Sequence, residues 1–360
     1  MCVTCGTADD LDLVRGARQL ADAILLGGRT RVRKAMDLST TGGFDQAVAG
    51  MAAELRRAVS ATDEAAVRAA VAVLDVDWRQ TTAAQRRRLV AQALEAAGRR
   101  TSTIVRAVAA PFGEAADEVV SATRGGVRSQ HGLRIAADFN ALDQRITRHL
   151  VKSQANFVRD EYGRRLDTLG EEARRVVAEG LEAGLGRQDI ATDLQRAAEH
   201  ALVTRPAFYW EVVAGAFVAN GRSLAQVSAF AEAGIQRYVI EAVLDEVTTE
   251  TCRFLHGKVF SVGDAIKRFE RIEGMERPED IKTEQPWVRQ ALDPETGRSV
   301  LFVERDGTRT PIAEVSRSGM GSKDDVGEFA HGRTERELMD LGVSFPPFHG
   351  LCRTTLLPDV

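Results

Sequence analysis

Between about Asp10 and about Gly234 the chain carries proline at only two positions, Pro111 and Pro206. Proline removes a backbone donor and clashes with the preceding helical turn, so a long stretch nearly free of it lets helices run. The same stretch is rich in Ala, Leu, Arg and Glu, residues that lose little on entering a helix. It is expected to be almost entirely α-helical.

Hydrophobic spacing places the helices. Phe139, Leu142, Ile146, Leu150 and Phe157 recur at intervals of three, four, four and seven residues, which keeps one face apolar and predicts a helix over about 134–160. Val176, Val177, Leu181 and Leu185 form a second stripe, and Ile190, Leu194 and Ala198 a third. Gly186 between them is expected to supply a left-handed stop, giving two helices joined by a tight turn. Earlier helices are predicted at 11–26, 44–60, 63–74 and 83–110, with Gly27-Gly28 and the polar stretch 39–43 as breakers.

After Gly234 the pattern changes. Tyr238, Ile240, Ala242 and Leu244 alternate with Val239, Glu241 and Val243, the two-residue period of a strand. Residues 299–304 and 310–315 flank Arg305-Asp306-Gly307-Thr308-Arg309, where Asp-Gly suits the positive φ angles of a tight hairpin. Pro311 lacks an N–H, so its strand is expected at a sheet edge. The polar segment 316–332 reads as a mobile loop before a short helix at 334–339. The expected fold is mainly α: a flexible terminus at 1–8, a helical N-terminal domain at 9–130, a helical connector at 131–234, and a small α+β module with a β-hairpin at 235–360.

Charge and apolar content narrow the function. The 48 Lys plus Arg against 52 Asp plus Glu give a net charge of -4, which excludes a generally basic nucleic-acid binder. A local exception is the segment 76–110, where Arg79, Arg86, Arg87, Arg88, Arg99, Arg100 and Arg106 face only Asp77 and Glu95. That excess suits phosphate contacts, a protein-binding face, or simply solvated heads on a good helix former. No apolar run reaches the roughly 20 residues that span a bilayer, so no membrane partner is expected. The N-terminus has no basic segment followed by an apolar core, so residence in a cytoplasm is expected.

Four cysteines, Cys2, Cys5, Cys252 and Cys352, are too few for a disulfide-built scaffold. Cys2-x-x-Cys5 has the spacing of half a zinc knuckle, but no strand-helix context follows it, and a frayed terminus is the expectation. The later pair is more informative. Cys252 and His256 stand four apart, and His349 and Cys352 three apart, so a folded module can converge four donors on a tetrahedral Zn²⁺. The sequence equally accommodates buried thiols with Pro346-Pro347 fixing the chain's entry, or a Cys252–Cys352 disulfide. Asp245, ahead of Thr248 and Thr249, suits a cap or Asx turn with Arg353 as ionic partner. Cys352, His349 and Asp245 can also be written as a nucleophile, a base and its orienter, although their spacing does not establish that geometry. Phe208-Tyr209-Trp210, with Phe217 and Val218, concentrates aromatics for a core helix or a docking surface.

The two blocks that carry these residues run from Leu244-Asp245 through Thr251-Cys252-Arg253-Phe254-Leu255-His256-Gly257-Lys258-Val259-Phe260, and from Phe345-Pro346-Pro347-Phe348-His349-Gly350-Leu351-Cys352-Arg353 to Leu356. Together they resemble the paired signature of the phage Mu F-like minor head proteins, the phage head morphogenesis family. The resemblance covers roughly residues 170–360 and marks Asp245, Thr248, Thr249, Gly257, Pro346, Pro347 and Arg353 as the motif's structural positions. Some members carry further cysteines at the places of Thr249 and Thr354, so the chain departs from the richest thiolate version. The resemblance implies a non-catalytic, low-copy minor capsid protein inside the virion head, assembled in the host cytoplasm with the portal and with capsid or scaffolding proteins, in reach of packaged DNA. The alternative is an effector or toxin payload fused to a Mu F-like delivery module. The helical half offers no Gly-rich phosphate loop and no His-Glu-x-x-His pattern to support such a payload.

Overall fold

The computed structural model describes residues 36–204 and 206–360. The Cys2-x-x-Cys5 pair, the terminus at 1–8 and the helix expected at 11–26 lie outside these residues. The first described helix, α1 (Thr41–Leu74), starts where Thr40 accepts the N–H of Gly43 on its hydroxyl. It runs through 34 residues without the interruption expected near residue 61, because Ala61-Thr62 holds no breaker. It buries Phe44, Met51 and Leu55 in one core and Val67, Ala70 and Leu74 in a second.

The helix expected over 83–110 is instead two, α2 (Ala83–Thr101) and α3 (Ile104–His131). The hydroxyls of Thr101, Ser102 and Thr103 turn back onto the carbonyls of Gly98, Arg99 and Arg100, offering the backbone an alternative to the next helical turn. Gly132, with φ +63°, ends α3. Helix α4 (Ala141–Glu182) begins later than the stripe predicts, because Asn140 and Asp143 form a reciprocal cap there. Its 42 residues span about 63 Å at 1.5 Å each. The turn into α5 (Arg187–Glu199) takes its left-handed residue at Gly184, φ +70°, whereas Gly186 is the extended cap of the next helix.

Helix α6 (Pro206–Glu232) is the hub. From Gly221 to Phe230 every residue is buried, the signature of a helix enclosed on all sides. It packs against α1, α3 and α4 on one side and against the C-terminal strand and a following helix on the other. Trp210, Phe217 and Val218 belong to the core, so the aromatic cluster is chiefly core, while Phe208 stands 63% exposed.

Strand β1 (Arg237–Glu241) opens the α+β part at the expected place and stops three residues short of Leu244. Helix α7 (Glu250–Leu255), β2 (Val259–Ser261), α8 (Val262–Ile272) and α9 (Pro278–Glu284) follow. Next come β3 (Val288–Leu292), β4 (Ser299–Arg305), β5 (Thr308–Arg317), β6 (Glu328–Ala330), α10 (Glu335–Asp340) and β7 (Thr355–Asp359). One antiparallel sheet has the order β2-β1-β7 and the other β3-β4-β5-β6. The core is continuous from Leu38 in the helical half to Leu356 in β7, so residue 235 marks a change of secondary structure within one packed unit.

The β4–β5 hairpin turns on Asp306 and Gly307, φ 49° and 75°, as the sequence predicts. Its second strand is not an edge: β6 covers it, but only opposite Glu314–Arg317, so no β6 residue stands opposite Pro311 to require an N–H there. The segment expected as a mobile loop contains the end of β5 and all of β6. Its middle is anchored by Arg253, whose guanidinium donates to the carbonyls of Ser322 (2.9 Å) and Asp325, and by Glu250, which accepts from the Met320 N–H (3.2 Å) and the Ser318 hydroxyl.

A buried ionic cluster and a buried neutral imidazole fix the bundle. Arg124 lies 2.8 Å from both Asp143 and Glu232, joining α3, α4 and α6. His149 packs edge-on against Phe269 of α8, and burial lowers its pKa to about 4 despite the nearby Glu273. Its neutral form is therefore the one the fold accepts. Above the ordinary value near 6.5 both states are neutral; as pH falls toward 4 only the unfolded chain gains the proton, so stability is lost across that window. Between pH 7 and pH 5 the loss is about 2 kcal/mol at about 1.4 kcal/mol per pH unit. Denaturant titrations at both pH values should show His149→Gln losing that much less than the parent, and equal losses would refute the assignment.

Candidate metal centre

The strand order brings the two sequence blocks together. β7 pairs with β1 through Ile240↔Leu356 and Glu241↔Thr355, so the chain just after β1 and the chain just before β7 leave the sheet side by side. On the first side, Thr249 caps α7, its hydroxyl accepting the N–H of Cys252, which sets Cys252 in the helix's first turn with its side chain inward. On the second, the buried Pro346-Pro347 step has a cis bond and leads into His349 and Cys352.

Cys252 Sγ stands 3.1 Å from His349 Nε2 and 3.8 Å from Cys352 Sγ. The three donor atoms lie within 4.8 Å of one another, and the group can hold a metal ion. Both thiols are free, so the disulfide alternative is not the arrangement present. The thiols behave as a pair. The hydrogen bond to Cys352 and burial push Cys252 well above the ordinary thiol range. Burial opposes ionising Cys352 too, but the Cys252 hydrogen bond and His349 overcome it and hold Cys352 well below that range. Cys352 is thus the thiol that ionises first, and the thiolate is the form in which a cysteine binds a divalent cation.

His256 does not join them. Its Nδ1 accepts the Ala242 N–H at 3.2 Å and lies 3.7 Å from Glu241, because α7 ends at Leu255 and Gly257, φ +77°, turns the chain back toward β1. The four-residue spacing from Cys252 would share a face only if the helix continued.

The remaining motif residues brace the site. Asp245 closes an Asx turn, accepting the Val247 N–H at 3.2 Å and the Thr248 hydroxyl at 2.7 Å, and it pairs with Arg353 at 2.5 Å. Against partial desolvation, Thr248 and Arg353 hold its carboxyl below the usual range. Asp245 thus faces Arg353, not His349, and the nucleophile-base-orienter arrangement is not formed. Thr249 Oγ1 lies 3.2 Å from His349 Nε2, and the Thr354 hydroxyl bonds to the thiol pair.

Sequence reasoning missed the residues of α6 that clamp this region. The wholly buried Arg222 donates to the carbonyls of Arg353 (2.7 Å) and Thr354 (2.8 Å), rests over the Phe44 ring, and places positive charge near Cys352. Gln226 exchanges hydrogen bonds with Leu356. Their sequence signal is weak, because Arg222 and Gln226 stand among other polar residues of α6, Asn220, Ser223 and Ser228. Gly215 has a packing reason: a Cβ there would stand 2.7 Å from the carbonyl oxygen of Gly350, so only glycine lets α6 approach the His349–Cys352 loop.

The arginine segment is not one patch. Arg79 donates to the carbonyls of Gly184 and Leu185, Arg86 folds back onto Thr81, and Arg99 pairs with Glu95. Arg87, Arg88, Arg100 and Arg106 are exposed. No family model, curated protein or solved structure matches the chain. No helix among the described residues is long and apolar enough to cross a membrane.

Proposed function

We propose that the chain is a phage minor head protein of the Mu F-like, head-morphogenesis type: a low-copy structural component, not an enzyme, that works beside the portal inside the assembling head. The observation that carries this is convergence. The resemblance rests on two blocks about ninety residues apart, and three positions of the first meet a counterpart in the second: Asp245 with Arg353, Thr249 with His349, Cys252 with Cys352. Thr249 and Thr354, the places where other members carry additional cysteines, are the two hydroxyls that touch the thiol cluster. A chance match of short Cys/His patterns would not assemble its departures around the same point.

In this proposal the cluster holds a structural Zn²⁺ that clips β7 to the opening of the module. Zinc-to-sulfur bonds near 2.3 Å and zinc-to-nitrogen bonds near 2.0 Å at tetrahedral angles give a sulfur-to-sulfur edge of about 3.8 Å and a sulfur-to-nitrogen edge of about 3.5 Å. The sulfur pair stands at 3.8 Å and one sulfur-to-nitrogen edge at 3.1 Å, and all three donors lie within 4.8 Å of one another, so a turn of the imidazole is what equalises its two edges around an ion. The long bundle and its exposed arginines are the part offered to the portal, to capsid or scaffolding proteins and to packaged DNA.

Affinity capture of the tagged protein from cells making the complete particle tests this. Recovery of portal and major capsid protein in large excess over the bait is expected. Particles that assemble with portal but lack this chain would overturn the proposal.

A further inference from the structure

Closed structural zinc sites take all four ligands from protein, whereas three protein donors with a fourth position open to solvent make an exchangeable ion. Among the described residues the cluster has three members, Cys252, His349 and Cys352, and the side chain expected as the fourth, His256, is held elsewhere by Ala242 and Glu241. Beside Cys252 and His349 lies a cavity of about 30 Å³, lined also by Val243, Val247, Thr248, Thr249, Leu351 and Arg353. One water molecule needs about 10–15 Å³ of such space, so the cavity has room for a small ligand, and the lining hydroxyls supply its polar partners. The cavity shares Val247, Thr249, His349, Leu351 and Arg353 with a groove of about 800 Å³ that continues between α1 and α6.

We propose that the ion at this centre is open: its fourth ligand is a water-sized exogenous donor that enters from the groove and exchanges for small anions. This rests on the metal reading above. The Arg353 guanidinium at the rim is already paired with Asp245 at 2.5 Å, so it is the ion and not this arginine that draws the anion in.

The test uses the full chain loaded with Co²⁺, with cobalt counted by elemental analysis before and after each addition. The expected result is one cobalt per chain, two sulfur ligands by X-ray absorption, and visible bands that shift saturably with azide while the cobalt count stays constant. One cobalt per chain with bands unmoved by azide overturns the open site, as does a third sulfur or a set of four protein ligands. A chain that takes up no cobalt overturns the metal reading itself and this inference with it.

Discussion

Cys352→Ser is expected to strip the protein of its metal and to lower its unfolding free energy by several kcal/mol when zinc is present. The side chain is fully buried, stands 3.8 Å from Cys252, and is the thiol most readily ionised, so its loss removes the anionic donor and leaves one thiol and one imidazole. Two such donors do not hold zinc at micromolar concentrations, and the binding free energy of a structural zinc, of order 10 kcal/mol, is folding free energy. As a packing change, sulfur to oxygen in a site that already contains the Thr249 and Thr354 hydroxyls costs only about 1 kcal/mol. The two contributions separate in chelator. With excess EDTA the parent and Cys352→Ser should unfold within about 1 kcal/mol of each other, and in zinc the gap should widen several-fold. Equal metal content in both proteins by elemental analysis would sink the metal centre.

The second large effect is expected from Arg253→Met. Arg253 is 2% exposed, and its guanidinium donates to the carbonyls of Asp245, Thr248 (3.1 Å), Ser322 (2.9 Å) and Asp325. Methionine fills much of the same volume but leaves the carbonyls of Thr248, Ser322 and Asp325 without this donor, while that of Asp245 keeps only the Thr248 N–H at 3.1 Å. Each orphaned buried acceptor costs about 1–3 kcal/mol, and partial rescue by water should leave a net loss of about 4 kcal/mol. The damage should not stay local. Two of the carbonyls belong to the turn that positions Asp245 and Thr248, and two to the loop between β5 and β6, so both should loosen together. Native-state proteolysis should cut Arg253→Met within residues 318–327 while the parent resists, and its zinc affinity should fall although every ligand is intact. A variant as stable and as protease-resistant as the parent would show that these carbonyls find other partners.

Much of the architecture is readable along the chain because its causes are local. Helical propensity with two prolines in the N-terminal 234 residues dictates the bundle, and the Asp306-Gly307 turn dictates its hairpin. The errors fall where local signals compete. The hydroxyls at 101–103 break a helix that propensity extends, and Gly184 takes the left-handed turn two residues before the glycine that periodicity favours. At the site, the residue types were legible: Asp245 with Arg353, and Cys252, His349 and Cys352 as a group. His256 was misassigned because spacing implies a shared face only while a helix lasts, and α7 stops at the residue before it. Arg222, Gln226 and Arg253 were missed because a buried polar side chain in an apolar helix looks like a solvated one until its partners arrive.

The sequence by itself determined the mainly helical character, the change to strands near residue 235, and which side chains can hold an ion. Those follow from backbone preference and donor chemistry, which each residue carries with it. Only the tertiary structure decided that three donors meet and the fourth does not, and that one core joins the helical half to β7. It also decided that the expected loop is anchored by the buried Arg253 and Glu250. Those outcomes depend on pairing β1 with β7 across more than a hundred residues, a contact that is set by packing around α6 and has no local code.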